Sequence, residues 1–306
     1  VVALFGASFL IGVWYAFPMV NTITDVWAFG GGVLRAIEAG TLLPGYGVAY
    51  GTLSFYQNYA AMLVALALGY AATGFDAEAL KTLLILNPSL SLLVPRIVSA
   101  LTSIALVWIV YRFLKSRVED ASWRLALLVL LFGSPLIALL VRSGKMWMLS
   151  LLLIAVSFIC LYYAVTKERA EGRFGRLSFA SIVTAFLAAA NFLFAALFLV
   201  TIPILLAAFW RTPGLFERLA AAIAFGAAAF LAFFALNAGN IVGQSSGFVL
   251  QFFSPGEGAS VQASLTVLES FFVNVRQATE SFPVLLAALL LAVYAGIRDK
   301  TLFFLA

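Results

Sequence analysis

The sequence predicts an all-α, polytopic bundle of transmembrane helices. Of its 306 residues, 64% are hydrophobic and 10% are charged, whereas a soluble domain carries about 25% charged residues. Six segments lack Lys, Arg, Asp and Glu and can hold helical spans of about 20 residues; they are 1–24, 125–141, 146–166, 177–210, 219–256 and 281–297. Because they do not alternate polar and apolar residues with a period of two, a lipid-facing β-barrel is disfavoured.

The composition also excludes several kinds of chemistry. The chain has no histidine and one cysteine, Cys160, which rules out His-based catalysis, a disulfide framework and a His or Cys metal site. The net charge of +5 does not indicate nucleic-acid binding, since the basic residues lie mostly between hydrophobic segments, where membrane topology explains them. No predicted span has an ionisable residue in its interior, which argues against ion-coupled transport. We therefore expect any chemistry at a membrane–water boundary.

The first part of the chain is predicted to hold one span and an interfacial helix. Residues 1–18 form the span, and Pro18 closes it. Asp25 is then predicted as the N-cap of a helix over 26–39, which ends at Gly40. Its apolar face is suited to the membrane interface and carries Val26, Phe29, Val33 and Ile37. The glycine run 30–32 is expected to weaken this helix.

The remaining segments follow from their length and their breaks. Segments 56–74 and 79–95 are predicted as interfacial or re-entrant helices, because Asn87-Pro88 and Pro95 interrupt the second one. Segment 177–210 is too long for one span and is predicted to form two short helices with a bend near Asn191. The other predicted spans are 97–113, 125–141, 146–165, 219–236 and 283–297.

The distribution of basic residues predicts the orientation. Two thirds of the 18 basic residues fall in loops that can share the cytoplasmic side; these loops are 112–124, 167–176, 211–218 and 298–300. The outer loops are then 19–95 and 237–282. We treat 1–306 as one transmembrane domain, interpret it as a fragment of a longer chain, and expect an integral, multi-pass protein whose active face is extracytoplasmic.

Asp25 is the main catalytic candidate. A carboxylate at the outer boundary can act as a general base toward a hydroxyl or amine acceptor, or ligate a hard divalent cation. It can equally serve only as a helix cap. No second acidic ligand is identified, so no metal site is predicted, and a divalent cation at Asp25 stays an open question.

Three basic residues at the outer boundary are candidates for binding a lipid phosphate. Arg142 and Lys145 lie in the short link between two predicted spans, and Arg96 lies at the outer end of another. Arginine can clamp a phosphate through two hydrogen bonds, and lysine supplies a point charge. Alternatively, all three are anchors whose charged ends reach the interface.

The second outer loop adds two candidates, Glu257 and Arg276. The helical spacing of apolar residues over 260–276 predicts an interfacial helix. Such a helix can close over a lipid-borne substrate or be purely structural.

Several short motifs occur together over most of residues 1–210. An acidic residue follows the first span and precedes a helix that ends in Ala39-Gly40. A Leu-Leu-Pro turn and an aromatic segment with Tyr50 and Tyr56 come next, Pro95-Arg96 opens a later span, and Ser134-Pro135 precedes Arg142. This pattern resembles the GT-C superfamily of membrane glycosyltransferases, in particular the branch of protein O-mannosyltransferases and aminoarabinose transferases.

The resemblance implies an inverting glycosyltransferase that takes a sugar from a polyprenyl-phosphate-linked donor on the non-cytoplasmic face. It implies that Asp25 is the catalytic carboxylate and that Arg142 holds the lipid phosphate, with Tyr50 and Tyr56 among the substrate-binding residues. Two departures are evident: no acid follows Arg142, and Asn191 stands where the family often has lysine. The expected partners are the lipid-linked sugar and membrane lipid.

Two other classes stay open. The missing second acid favours a non-catalytic lipid-binding or flippase-type protein of an envelope glycan pathway. A polysaccharide polymerase or ligase also acts outside on a lipid-linked donor, but we expect it to carry more Arg or His in the large outer loop than Arg276.

Overall fold

The computed structural model describes residues 1–14, 24–44 and 51–237, and within these ranges leaves out the side chains of 24–28, 135–136, 193–194 and 234. This part of the chain is all-helical. Its α-helices are α1 (Val2–Leu10), α2 (Thr24–Glu38), α3 (Thr52–Ala72), α4 (Ala77–Leu86), α5 (Leu90–Lys115), α6 (Ala121–Phe132), α7 (Pro135–Arg142), α8 (Trp147–Tyr163), α9 (Arg176–Asn191), α10 (Thr201–Phe209) and α11 (Leu215–Leu236). A π-helical turn, Ala164–Glu168, extends α8, and a 3₁₀ segment, Leu193–Val200, precedes α10.

These helices belong to one compact unit, Val1–Asn240. A second unit, Ile241–Ala306, lies outside the described residues. The predictions for the helix 260–276, for the span 283–297 and for a single domain over 1–306 therefore stay predictions.

Three of the described helices are long and apolar enough to cross a membrane: α5, α8 with its π-helical turn, and α11. Helices α3 and α4 would count as a fourth span if taken together, but they are bent by 114° at the turn between them. The bend agrees with the predicted separation of segments 56–74 and 79–95. These lengths and compositions are consistent with a membrane protein.

The contacts between helices define two ends of the bundle. At one end Gly144 packs on Pro95, and at the other Arg117 stacks over Tyr162, so α5 and α8 run parallel. Helix α9 runs antiparallel to α8, because Ser157 bonds Ser181 and Asn191 bonds Ser150. We call one end the basic end; it consists of residues 112–124, 167–176 and 211–218. We call the other the opposite end; it consists of residues 8–14, 51–54, 90–96, 142–150 and 191.

Two predicted spans differ from the structure. Helix α1 ends at Leu10, before the predicted limit at Pro18, and residues 15–23 lie outside the described residues. The predicted span 125–141 is two short helices, α6 and α7. The break arises because the Ser134 hydroxyl accepts a hydrogen bond from the Ile137 N–H at 3.2 Å and Pro135 begins α7, a combination that starts a new helix.

The predicted break at Pro95 is also wrong, because α5 begins at Leu90 and continues through that residue. Proline has no N–H to give to the carbonyl of Ser91 one turn earlier. Gly30 of α2 lies directly on this carbonyl: a Cβ added to Gly30 would stand 2.6 Å from the Ser91 oxygen. The glycine run therefore permits a close helix–helix approach, of the kind that Cα–H···O contacts accompany.

Helix α2 confirms most of the prediction for 26–39. Phe29 and Val33 are buried, and Gly40 has φ +62°. The N–H of Gly40 bonds the carbonyl of Ile37 at 3.1 Å, and that of Thr41 bonds Ala36 at 2.9 Å, which is a Schellman motif. The N-cap assignment is wrong: Asp25 is the second residue of α2, one position inside the helix start.

Asn191 ends α9 and joins three helices, at the position where the sequence predicts a bend. Its side chain is 0% exposed. Its amide nitrogen donates to the Met146 carbonyl at 3.1 Å and to the Ser150 hydroxyl at 2.8 Å, and its oxygen accepts from the Ser54 N–H at 2.9 Å. This one amide fixes the starts of α3 and α8 against the end of α9.

We expect Asn191→Ala to lower the free energy of unfolding by about 1–3 kcal/mol, because it leaves the buried Ser54 N–H without its acceptor and removes two further buried hydrogen bonds, to the Met146 carbonyl and the Ser150 hydroxyl. The measurement is an SDS titration in mixed micelles. Asn87→Ala is the matched control, since the exposed Asn87 amide makes one hydrogen bond, to Leu83 at 3.1 Å, and its loss should cost less than about 0.5 kcal/mol. Equal effects of the two substitutions would contradict the role given to Asn191.

Candidate functional site

Two of the predicted phosphate-binding arginines converge on the end of α1. Arg96 is 6% exposed, and its Nη1 donates to the Val13 carbonyl at 2.9 Å. Arg142 is half-buried, and its Nη2 donates to the Ser8 carbonyl at 3.3 Å. The last carbonyls of a helix lack intrahelical partners and carry the negative end of its dipole. The Arg142 guanidinium therefore stabilises the end of α1, and the Arg96 guanidinium stabilises the turn that follows it, whatever else they bind.

The link between α7 and α8 is packed against the start of α5. Gly144 has φ +67°. A Cβ added to it would lie 3.0 Å from the Cβ of Pro95 and 3.1 Å from the backbone nitrogen of Arg96. Only glycine fits this position without displacing the α5 backbone. The link, which carries the half-buried Lys145 and follows Arg142, thus packs against the backbone at Arg96, which the sequence left on a separate segment.

Arg142 keeps donor capacity beyond its bond to Ser8. Its Nε is buried and has no hydrogen-bond partner among the described residues. The guanidinium lies against Gly12, where an added Cβ would stand 3.7 Å from Cζ. A buried polar atom without a partner carries a free-energy cost that an anionic acceptor would offset. This atom makes Arg142 the strongest candidate for an anion-binding residue at the opposite end.

The backbone of Asp25 belongs to the same end. It lies one helical turn before Phe29, and a Cβ added to Gly51 would stand 2.7 Å from the Phe29 ring and 3.0 Å from the Met146 Cβ. Met146 follows Lys145 directly, so the start of α2 is close to the link that carries Arg142. The Asp25 side chain itself lies outside the described part of the chain.

The other candidate residues are placed only in part. Tyr56 is half-buried, and its ring centroid lies 5.4 Å from that of Phe55 and 6.2 Å from that of Phe233. Tyr50, Glu257 and Arg276 lie outside the described residues. No three His, Cys, Asp or Glu side chains come together in the described ranges, and a cation at Asp25 stays a prediction.

An apolar groove lies beside α2. Its cavity measures about 490 Å³. Helices α2, α3 and α4 line it with Leu34, Ile37, Leu66, Leu80, Leu84 and Ile85, and Glu38 and Lys81 add its charged groups. At 1.5 Å per residue, Ile37 lies about 18 Å along α2 from Asp25, a span that a long hydrocarbon chain can bridge.

Several buried polar side chains on α3 and α5 were not predicted. The Gln57 amide donates to the Thr102 hydroxyl at 2.8 Å. Ser54 Oγ, Asn58 Oδ1 and Ser99 Oγ are buried without hydrogen-bond partners among the described residues. One feature of the sequence could have predicted these residues: Ser54 and Asn58 are four residues apart, so they lie on one face of a helix that is otherwise largely apolar.

Glu168 is another residue whose role was not predicted from the sequence. It is 5% exposed and lies at the basic end, below the start of α9. Its carboxylate accepts from the N–H groups of Gly175, Leu177 and Ser178 and from the Ser178 hydroxyl, at 2.7–3.1 Å. A carboxylate has about four acceptor positions, so this one is saturated and acts as a cap for α9. Nothing in the sequence distinguishes Glu168 from an exposed acidic residue of a loop.

The chain was compared with protein-family models, with curated proteins and with solved structures. None of the three comparisons finds a match. The functional argument therefore rests on the residues and their geometry.

Proposed function

We propose that the chain is the membrane-embedded part of a polyprenyl-phosphate-dependent glycosyltransferase, a multi-pass protein with a GT-C-like arrangement whose reacting centre lies at the opposite end. The observation that carries the proposal is the Arg142 guanidinium. It is half-buried in an apolar bundle, it has a buried donor without a partner among the described residues, and the link that follows it carries Lys145 and packs against the backbone of Arg96. Positive charge that is partly desolvated in this way favours a phosphate ligand.

The proposed reaction divides its steps between two groups. Asp25 takes the proton of an acceptor hydroxyl or amine as that atom attacks the sugar C1. The bond between C1 and the phosphate oxygen breaks in line, with inversion, and polyprenyl phosphate leaves. Arg142 and Lys145 stabilise the charge that develops on this phosphate. The apolar groove beside α2 accommodates part of the polyprenyl chain.

A second candidate function is a non-catalytic lipid-binding or flippase-type protein. Two observations favour it: Arg96 and Arg142 already donate to carbonyls of the α1 end, and Ser143-Gly144 follows Arg142 where an acid would be expected. Both candidates bind a lipid phosphate, and only the first needs Asp25 as a base.

The proposed orientation places the basic end in the cytoplasm. In a Cys160→Ser background, Asn87→Cys and Glu119→Cys mark exposed positions just before and just after α5. We expect a membrane-impermeant maleimide to label the Asn87→Cys variant in intact cells and the Glu119→Cys variant only after permeabilisation. The reverse pattern would overturn the orientation, and labelling of both from outside would mean that α5 does not cross.

For catalysis, we expect Asp25→Asn to slow sugar transfer at least about 100-fold, because the amide cannot take the acceptor proton. The assay uses proteoliposomes with polyprenyl-phosphate-linked hexose and pentose donors and measures release of polyprenyl phosphate to glycan, lipid or protein acceptors. Donor affinity should change less than about threefold, since the phosphate contacts remain.

Asp120→Asn is the matched control for Asp25→Asn. Asp120 caps α6 at the basic end through hydrogen bonds from Ser122 and Trp123, and asparagine caps a helix equally well. Full transfer activity in the Asp25→Asn protein would refute the catalytic role. Polyprenyl phosphate binding with no turnover by the unmodified protein would favour the non-catalytic candidate.

For donor binding, we expect Arg142→Gln to weaken polyprenyl phosphate affinity on the order of tenfold or more, because a charge-assisted hydrogen bond is lost. Arg218→Gln is the matched control: Arg218 donates to the Phe174 carbonyl at 3.0 Å, but at the basic end. Binding can be measured by scintillation proximity with radiolabelled polyprenyl phosphate. Equal affinities of the two variants would remove Arg142 from the phosphate site.

A further inference from the structure

A second cavity lies at the basic end, where the proposed transfer reaction makes no use of it. Its volume is about 710 Å³, within the roughly 300–1,000 Å³ typical of small-molecule sites. Two turns enclose it, the one that follows the π-helical turn and the one between α10 and α11. Its polar and charged lining comes from Arg169, Arg211 and Thr212, and its apolar lining from Ala207, Ala208, Trp210 and Pro213.

The two arginines that line this cavity are not neutralised by the protein. Neither guanidinium forms a hydrogen bond or ion pair with a described residue. Of the three nearby acids, Glu171 pairs with Arg173, Glu168 is saturated by the start of α9, and Glu217 does not line the cavity. Residues 167–176 and 211–218 carry six basic and three acidic side chains, so the cavity lies in a region of net positive charge.

The surroundings of the cavity match the headgroup layer of a membrane. Trp210 is 61% exposed on its rim, and tryptophan is enriched at membrane–water interfaces. The cavity lies where the helices α10 and α11 meet, next to apolar helix surface that acyl chains can cover. Basic pockets between transmembrane helices on the cytoplasmic side are suited to anionic lipid headgroups.

We propose that this cavity binds the phosphodiester headgroup of an anionic phospholipid from the adjacent leaflet. Arg169 and Arg211 contact the phosphate from two sides, Trp210 packs on the glycerol region, and the acyl chains lie along α10 and α11. The alternative is that these loops are basic only because positive charge sets the membrane topology. That alternative does not account for the cavity or for the two unpaired arginines that line it. The proposal requires a membrane protein and does not depend on sugar transfer.

Native mass spectrometry of the full chain tests the site, after incubation in neutral detergent with equal amounts of phosphatidylglycerol and phosphatidylcholine. We expect selective retention of phosphatidylglycerol, reduced on the order of tenfold by the double substitution Arg169→Gln, Arg211→Gln. Ala207→Trp fills the cavity without changing charge and should reduce retention similarly.

Arg112→Gln with Lys115→Gln is the matched control, because it removes two positive charges from the same end at residues that do not line the cavity. This control should retain phosphatidylglycerol within about twofold of the unmodified chain. Unchanged retention in both cavity variants overturns the proposal, as does equal loss in the control. Displacement of the lipid by inorganic phosphate at similar concentration would also overturn it, since the site would then recognise free phosphate. Unfolding midpoints without lipid establish that each variant is folded.

Discussion

The hydrogen bonds of the buried Asn191 amide are the interaction on which the opposite end of the bundle depends. A buried amide in apolar surroundings is costly unless each of its donors and acceptors finds a partner. Asn191 meets this condition with three partners on two other helices. The starts of α3 and α8 are thereby fixed to one another, and through Met146 so is the link that carries Lys145 and Arg142. The geometry of the proposed phosphate site follows from an asparagine that has no contact with it.

A second requirement is close approach of backbones, and it connects α2 to the same region. Pro95 leaves the Ser91 carbonyl without its helical donor, and Gly30 fills the space over that carbonyl. Gly144 packs on Pro95 itself, where an added Cβ would lie 3.0 Å from the Pro95 Cβ. Two glycines thus clamp one proline-containing turn of α5, and Asp25 and Arg142 are carried to one end by the segments that contain these glycines.

The sequence was informative where a feature is local and failed where it depends on a neighbour. The Gly40 turn and the break at Asn191 follow from residue type and segment length, and both were predicted. The passage of α5 through Pro95 could not be predicted, since it depends on Gly30 from another helix. For the candidate site, the sequence identified Arg96 and Arg142 but not their shared contact with the α1 end, which is formed only by packing. Glu168 was missed because its burial comes from the start of α9.

The two ends of the bundle use positive charge in different ways, and this difference bears on function. At the opposite end, arginines are few, partly desolvated and bonded to backbone carbonyls, so an anion must compete with these contacts or add to them. Selectivity is the expected result, because only a ligand that reaches the remaining donor of Arg142 gains a strong bond. At the basic end, Arg169 and Arg211 are exposed and unpaired, which suits weaker binding of abundant anionic lipid. The charge asymmetry that is proposed to orient the chain in the membrane would then also separate the proposed selective site from the proposed lipid-anchoring one.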